Sequence, residues 1–387
     1  MRPVDRLALI GVSQARGGVD ALAALQARFP DARTVRDLGF DEAVTVATCN
    51  RFEAVVALPE GGDCRQARHV LGLGDDPGAG YAFRGEGALE HLARVAASLE
   101  SVNPGEDQVM RQVRGAYGAA QVTGCAGPLT TFAFESALRV AKSVRREVKL
   151  APLNTSLFSL ALPLIEPVLS TGSAVAVVGA GEMGSSAARA LARSELAPRL
   201  FVVNRDPQRG RAVAERHGAN WLHLDDCLAG SVSFDAVVCA TPRAALLDGI
   251  ALDRLAGLKV VVDLGVPRNV DERAARSRGV QVVGHEELRA AGQHRRERIA
   301  ERLAEAEAVL LRELDSALDA WTDRQIAPTI RRLRDLYRDT IGDALPEDEA
   351  AAMAHRFAHV PVKGLRALAR RYGVEAATTF LETVESL

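Results

Sequence analysis

The chemistry in this sequence starts with a thiol. Cys49 stands in Thr48-Cys49-Asn50-Arg51, at the end of an apolar run from Ala43 to Thr48. A thiolate attacks carbonyl carbon, and a neighbouring guanidinium such as Arg51 favours the thiolate. Cys49 is therefore a candidate nucleophile, although a free cysteine also serves as a small buried hydrophobe. Cys64, Cys125, Cys227 and Cys239 lack such company and read as structural. None of the five forms a C-x-x-C pair. That argues against a zinc ribbon, a thioredoxin motif or a disulfide framework, and fits a reduced, cytoplasmic setting. His91 borders the apolar face of a helical segment, where it is either a satisfied helix residue or a catalyst. Ser101, Glu106, Gln108 and Gln112 follow it, and Gln108 and Gln112 share a helix face at i, i+4. Such a cluster hydrogen-bonds a polar substrate, or caps and solvates a helix start.

The second constellation is Gly179-Ala180-Gly181-Glu182-Met183-Gly184, which closes the run Val177-Val178 and opens a helix. Gly179 permits a tight turn, Gly181 lets backbone approach a pyrophosphate, and Gly184 allows close helix packing. The helix N-terminus adds free N–H groups and positive dipole. An Asp or Glu at the end of the second strand would select NAD. Here Asn204-Arg205 stands there, and Arg205 suits a 2′-phosphate, so NADPH is the expected cofactor. Asp206 reads as the cap of a helix beginning at Pro207. Thr241-Pro242 and Gly265-Val266-Pro267 end later strands at the same sheet edge, where they either line the nicotinamide crevice or are ordinary turns.

These residues need elements to position them. Over residues 1–150, strands at Leu7–Val12 and Ala43–Thr48 precede helices marked by Leu89, Leu92, Val95, Ala96 and Leu99, then by Val109, Val113, Ala116, Tyr117 and Ala120. Gly127-Pro128 is a break before a helix from Thr130 to Lys149. Arg139, Lys142, Arg146 and Lys149 form a stripe on it, a solvated face or a phosphate contact. Over residues 151–284, apolar runs at Ala174–Val178, Leu200–Val203, Ala236–Cys239, Val260–Val262 and Val280–Val283 alternate with helices, the rhythm of a doubly wound parallel sheet. Residues 285–387 read as helical. From His285 to Arg324 there is no proline and the only glycine is Gly292, while Ile299, Leu303, Ala306, Leu310, Leu314, Ala317 and Trp321 make one stripe. This predicts one helix roughly 60 Å long, a spacer to a dimerisation unit, with a folded-back broken helix as the alternative. Pro328 predicts a kink or end. The fold class is thus multidomain α/β: an α+β N-terminal catalytic domain, a Rossmann doubly wound NADP domain, and a long helix leading to an α-helical dimerisation domain.

Composition narrows the function classes. The net charge of −2 leaves no broad basic field, so any nucleic-acid contact is local. The N-terminal residues lack a signal-peptide core. The uncharged, apolar run from Leu150 to Ile165 is too short and too proline-interrupted for a membrane span.

Thr48-Cys49-Asn50-Arg51 with Glu53 resembles the nucleophile motif of glutamyl-tRNA reductases. The stretch from His91 through Ser101, Gly105-Glu106-Asp107-Gln108 and Gln112-Val113 to Tyr117 is similar to that family's substrate segment. Gly127-Pro128-Leu129, Ala141-Lys142 and Val144-Arg145 resemble the helix that follows. Gly179 to Gly184, Asn204-Arg205 and Val266-Pro267-Arg268 resemble its nucleotide domain, and His355-Arg356, His359, Pro361 and Lys363 its C-terminal motif. The resemblance implies that Cys49 takes the glutamyl group from glutamyl-tRNA as a thioester, releasing tRNA(Glu). NADPH then reduces the thioester to glutamate-1-semialdehyde, the first step of five-carbon tetrapyrrole synthesis. It implies that His91 assists proton transfer and that Thr48, Asn50, Arg51, Ser101, Glu106, Asp107, Gln108 and Gln112 hold the glutamyl end. It also implies a homodimer through the C-terminal helices, no metal, and handover of a labile product to glutamate-1-semialdehyde aminotransferase. With the nucleophile and nucleotide loop in different domains, a domain closure is expected. The sequence departs from the family pattern at Ser13 to Gly18, at Phe52, at Asn103-Pro104 and at Leu153-Asn154-Thr155. The competing readings are an NADP oxidoreductase of shikimate dehydrogenase type, a non-enzymatic RNA-binding or scaffold homologue, and a redox sensor using Cys49. The dehydrogenase type needs a lysine in its first domain, and no lysine precedes Lys142.

Overall fold

The structure is a computed structural model that describes residues 4–76, 78–150, 156–342 and 345–386; the Asp107 side chain also lies outside the described residues, as does the Leu153-Asn154-Thr155 departure. The N-terminal unit contains β1 (Leu7–Ser13), α1 (Gly18–Arg28), α2 (Ala32–Arg36), β2 (Glu42–Ala47), β3 (Arg51–Ala57), α3 (Cys64–Val70), β4 (Tyr81–Arg84), α4 (Glu86–Ala96), α5 (Asp107–Val122) and α6 (Pro128–Glu147). Its sheet has the order β2-β3-β1-β4, with every pairing antiparallel. Both faces are covered. Leu7, Leu9, Val44 and Val55 pack on α4, α5 and α6, while Ala8, Ile10, Phe52 and Val56 pack on α1, α2 and α3. A strand buried on both faces loses the alternating polar signal, and all seven residues of β3 are buried, Arg51 and Glu53 included. For that reason β3 was not expected from the sequence; the short β4 was not either.

The second unit contains α7 (Phe158–Ile165), a 3-10 turn (Glu166–Val168), β5 (Ala174–Val178), α8 (Glu182–Ala192), β6 (Arg199–Asn204), α9 (Pro207–His217), β7 (Asn220–His223), α10 (Leu224–Leu228), β8 (Ala236–Cys239), α11 (Gly249–Arg254), β9 (Val260–Asp263), α12 (Glu272–Ser277) and β10 (Gln281–Val283). The strands are parallel in the order β10-β9-β8-β5-β6-β7. The order reverses between β5 and β8, and that crevice, at the C-terminal strand ends, is where such folds hold ligands. All five expected strands agree with the observed ones to within one residue at each end; β7 is an additional short edge strand.

The C-terminal helices are α13 (His285–Arg298), α14 (Ala300–Ile341), α15 (Glu347–Tyr372) and α16 (Val374–Glu385). The single helix expected from His285 to Arg324 is in fact two. Ile299 breaks it at φ −114°, ψ 19°. The 42-residue α14 then continues through Pro328, where an end or kink was expected. Nor is its first half a free spacer. Ala306, Leu310, Leu314 and Leu318 share a core with α4 and α6, and Trp321 stacks on Phe132 at 4.2 Å. Beyond Pro328 it packs with α15 and α16 through Ile330, Leu333, Val362, Leu365 and Leu381. Among the described residues no helix is long and apolar enough to cross a membrane.

Candidate active site

The β2–β3 turn presents Cys49. Thr48 Oγ1 accepts from the backbone N–H of Asn50 at 3.1 Å and of Arg51 at 3.2 Å, and Thr48 N donates to Arg51 O at 2.9 Å. The outward carbonyls are held as well: Gln26 Nε2 donates to Thr48 O at 2.7 Å and Gln14 Nε2 to Cys49 O at 2.5 Å. A turn fixed on every side holds its apex residue in one orientation. The Cys49 side chain faces the second unit and packs against its core.

There it meets the nucleotide loop. Cys49, Thr48, Gln108 and Gln112 share one cavity of about 350 Å³ with Gly181, Glu182 and Met183, and with the strand-end turns at Thr241-Pro242 and Gly265-Val266. The two units are therefore already apposed in this structure, and Arg111 of α5 pairs with Glu182 of α8 at 3.1 Å across them. Gly179 has φ +115°, and a Cβ there would stand 2.3 Å from Ala240 O; at Gly184 it would stand 1.8 Å from Gly179 O. Gly181 differs: a Cβ there would meet nothing within 4 Å. Its neighbours Ala180 and Glu182 flank an α8 N-terminus that receives no side-chain cap. Open space against uncapped N–H groups fits a pyrophosphate. Asn204 Oδ1 accepts from Arg205 N at 2.9 Å, Arg205 is exposed, and Asp206 is occupied in capping α9 through Gln208 N and Arg209 N. These residues fit a nicotinamide dinucleotide.

The thiol itself differs from expectation. Burial, then the charge of Glu106, pushes the Cys49 thiol up to about 12. Arg51 works the other way, but its guanidinium pairs with Glu53 at 3.0 Å and donates to Glu100 O, so it does not yield a resting thiolate. Glu106 is pushed up to about 7, chiefly by burial, against the opposing pull of Arg51 and with Glu182 adding to the rise. Its Oε2 is buried without a partner, as is Gln108 Nε2. Of the remaining cysteines Cys125, Cys227 and Cys239 are buried, and Cys64 is half-buried.

His91 does not line the Cys49 cavity. It lines a neighbouring one of about 290 Å³ with Asn50, Arg51, Tyr81, Phe83 and Glu100, behind the Thr48–Arg51 turn. Its Nε2 meets Glu53 and its ring stacks on Phe83 at 4.6 Å. Ser101 is buried, with its hydroxyl accepting from Ser98 and its carbonyl from Arg296 at 2.7 Å. Of the departures within the described residues, the stretch Ser13 to Arg16 lies at this second cavity and the others do not. Gln14 and Arg16 line it. Phe52 points to the opposite face of the sheet, against Phe29. Asn103 ties the substrate segment to the second unit through Ser156 O at 2.9 Å. The stripe Arg139, Lys142, Arg146 and Lys149 is exposed, as are His355, Arg356, His359 and Lys363 on α15.

Several site residues were missed. Gln26 carried no signal and Gln14 stood out only within the Ser13 to Gly18 departure, since a glutamine that holds a remote carbonyl has no local pattern. Arg289 of α13 also enters the second cavity. Gly292, the only glycine from His285 to Arg324, was a signal for it: a Cβ there would stand 2.3 Å from Val102 O, so α13 lies directly on the segment bearing Ser101.

The family description "Glutamyl-tRNAGlu reductase, N-terminal domain" matches residues 15–148, and "Shikimate / quinate 5-dehydrogenase" matches residues 164–291. The glutamyl-tRNA reductase of Archaeoglobus fulgidus is 30% identical over 316 residues, covering 80% of this chain and 71% of that protein. That of Halobacterium salinarum is 33% identical over 355 residues, covering 90% and 80%. Among solved structures, glutamyl-tRNA reductase from Methanopyrus kandleri is 26% identical over 99% of both chains, with a TM-score of 0.49.

Proposed function

The chain belongs to the glutamyl-tRNA reductase family, and from that premise we propose that it converts glutamyl-tRNA(Glu) to glutamate-1-semialdehyde through a thioester on Cys49. The reaction is the first step of five-carbon tetrapyrrole synthesis. The observation that carries this reading is that the Cys49 thiol and the Gly181 loop line one cavity. The thiol needs a proton acceptor, and Glu106 is the nearby buried carboxyl pushed into the neutral range. The sulfur then bonds to the ester carbonyl carbon, and the ribose hydroxyl of the tRNA leaves with a proton. Gln108 and Gln112 face the reacting carbon from α5. Thr48 and Asn50 shape the turn, Arg51 with His91 holds the glutamyl side from the second cavity, and Ser101 lies buried between Glu100 and Val102 of that cavity's wall. A thioester accepts hydride more readily than an ester does, which is the gain from the covalent step.

NADPH supplies the hydride. Its pyrophosphate is assigned to Gly179–Gly184, and Arg205, with Asp206 turned to capping, favours the 2′-phosphate. Arg205→Ala is expected to bring the ratio of kcat/KM for NADPH over NADH toward one; an unchanged ratio refutes that assignment. The partners of this reading are charged tRNA, a second copy joined through the C-terminal helices, and the aminotransferase that consumes the product.

Without NADPH, wild-type protein mixed with charged glutamyl-tRNA is expected to accumulate a glutamyl adduct on Cys49, seen by mass spectrometry, and Cys49→Ser to give none. Equal reduction of glutamyl-tRNA by Cys49→Ser and wild type sinks the nucleophile. Binding of charged tRNA with no turnover by wild type favours a scaffold.

A further inference from the structure

Glu53 has no part in the chemistry above, yet it is fully buried in the central region of the antiparallel sheet. Alternation along β3 puts Arg51, Glu53 and Val55 on the face toward α4, opposite Phe52 and Ala54. One oxygen, Oε1, accepts from three side chains: Arg51 Nη1 at 3.0 Å, Tyr81 OH at 2.7 Å and His91 Nε2 at 2.8 Å. The other, Oε2, is buried without a partner. Burial by itself would raise this carboxyl, but Arg51, then His91 and Tyr81, hold it down at about 2.

Stability alone does not explain such a hub. Replacing a buried ion pair by apolar residues of similar volume is often neutral or stabilising by about 1–4 kcal/mol. An apolar residue at position 53 would suit the surrounding core. What the carboxylate does give is orientation. An ionised carboxylate only accepts, so Tyr81 must donate its hydroxyl proton and His91 must carry a proton on Nε2; in the neutral ring Nδ1 is then the free lone pair. Arg51, Tyr81 and His91, all three donors, line the cavity beside the nucleophile turn. The other charged groups near the hub are Glu100, Arg16 and Arg289 at the same cavity, with Glu106 and Arg296 close enough to feel the charge of Arg51.

We propose that Glu53 is a positioning residue for acyl transfer: its Oε1 locks Arg51 and His91 in one arrangement on the cavity wall, and so sets how the glutamyl group is presented to Cys49. The proposal rests on the glutamyl-tRNA reading. It differs from a structural role because it ties Glu53 to the acylation step and to one tautomer of His91.

Glu53→Gln keeps the shape and removes the charge. It is expected to bind NADPH within about twofold of wild type, to slow single-turnover acylation of Cys49 at saturating charged tRNA by 50-fold or more, and to raise KM for charged tRNA. Glu53→Asp, which restores a carboxylate, is expected to regain at least part of the lost rate. Acylation by Glu53→Gln within threefold of wild type overturns the proposal, as does a loss that Glu53→Asp leaves wholly unrescued. Nitrogen-15 NMR of the histidine ring, assigned by its loss in His91→Gln, supplies a readout that needs no substitution at Glu53. Wild-type His91 is expected to hold its proton on Nε2; a proton on Nδ1 alone overturns the proposal even if Glu53→Gln fails to fold. Because this readout needs no turnover, it stands apart from the glutamyl-tRNA reading, which fails if the wild type forms no adduct.

Discussion

At Cys49 the surroundings work against the ionised thiol, so the proton must go to a neighbour, and Glu106 is the side chain whose state can be read from stability. Its carboxyl rises from 4.5 to about 7 in the folded protein, with burial as the main cause. Between those values the folded state holds a proton that the unfolded chain has lost, so stability falls as pH rises through that window and is flat above it. Glu106→Gln removes the titration. Its thermal stability relative to wild type is expected to increase from pH 4.5 to pH 7 by on the order of 2–3 kcal/mol, then level off. A difference that stays constant from pH 4.5 to pH 8 refutes the buried, proton-holding Glu106. Legibility at this scale follows chemistry with fixed local spacing. Cys49 beside Arg51, and Gly179 through Gly184, announce themselves because their partners are adjacent in the chain. The Glu53 hub does not, because Tyr81 and His91 lie 28 and 38 residues away from it in sequence. The thiolate expectation failed for the same reason: the sequence shows Arg51 close to Cys49 but neither the burial nor the Glu106 charge that outweighs it.

Elements were legible where one apolar face was enough to define them and obscure where tertiary contacts decide. β5, β8 and β9 stood out as Val-rich runs, α4 and α5 as apolar stripes, and α6 as the helix after the Gly127-Pro128 break. The break at Ile299 has no glycine or proline. It is set by anchors on either side, with Arg296 donating to the carbonyls of Leu99 and Ser101, and Arg302 to Lys149 O at 3.2 Å. Pro328 costs about 3 kcal/mol in an isolated helix, and the packing of α15 and α16 on α14 offsets it. The contact of α13 with the substrate segment gives a prediction whose sign decides it. On an exposed helix, glycine to alanine stabilises by about 1 kcal/mol. At Gly292 the new Cβ would meet a backbone carbonyl at 2.3 Å, an atom that cannot turn aside. Gly292→Ala is therefore expected to destabilise by about 1–3 kcal/mol, the usual cost of overpacking, and to raise KM for charged tRNA by shifting Ser101. A variant that melts higher than wild type with unchanged KM would show that α13 does not bear on this segment.

For the whole molecule, α15 is apolar on two sides, and one chain covers only one of them. Ala350, Ala354, Ala358, Val362, Leu365 and Ala369 face inward toward the other C-terminal helices. Met353, Phe357 and Val360 recur at i, i+4 and i+7 on another face, with Phe357 56% and Val360 74% exposed, and Phe380 of α16 is exposed as well. Single exposed apolar residues are ordinary, but a stripe on a helix marks a surface that packs against something. In the proposed assembly the partner is a second copy of this chain, and a twofold axis lets one stripe meet its own image. The proposed dimer also gives the length of α14 a use. Its first half is fixed to the catalytic unit by Leu310 and Leu314, so a dimer contact at α15 and α16 stands away from the cavities and leaves both open to tRNA. Phe357→Glu with Val360→Glu places two charges in that stripe without touching the inner face, so the fold is expected to survive with unchanged secondary structure and near-unchanged melting. Sedimentation at micromolar concentration is expected to give wild type at twice 41.2 kDa and the double variant at that mass. A double variant that stays dimeric puts the interface elsewhere. A monomeric wild type removes the second copy from the proposed assembly and leaves the stripe on α15 to another partner.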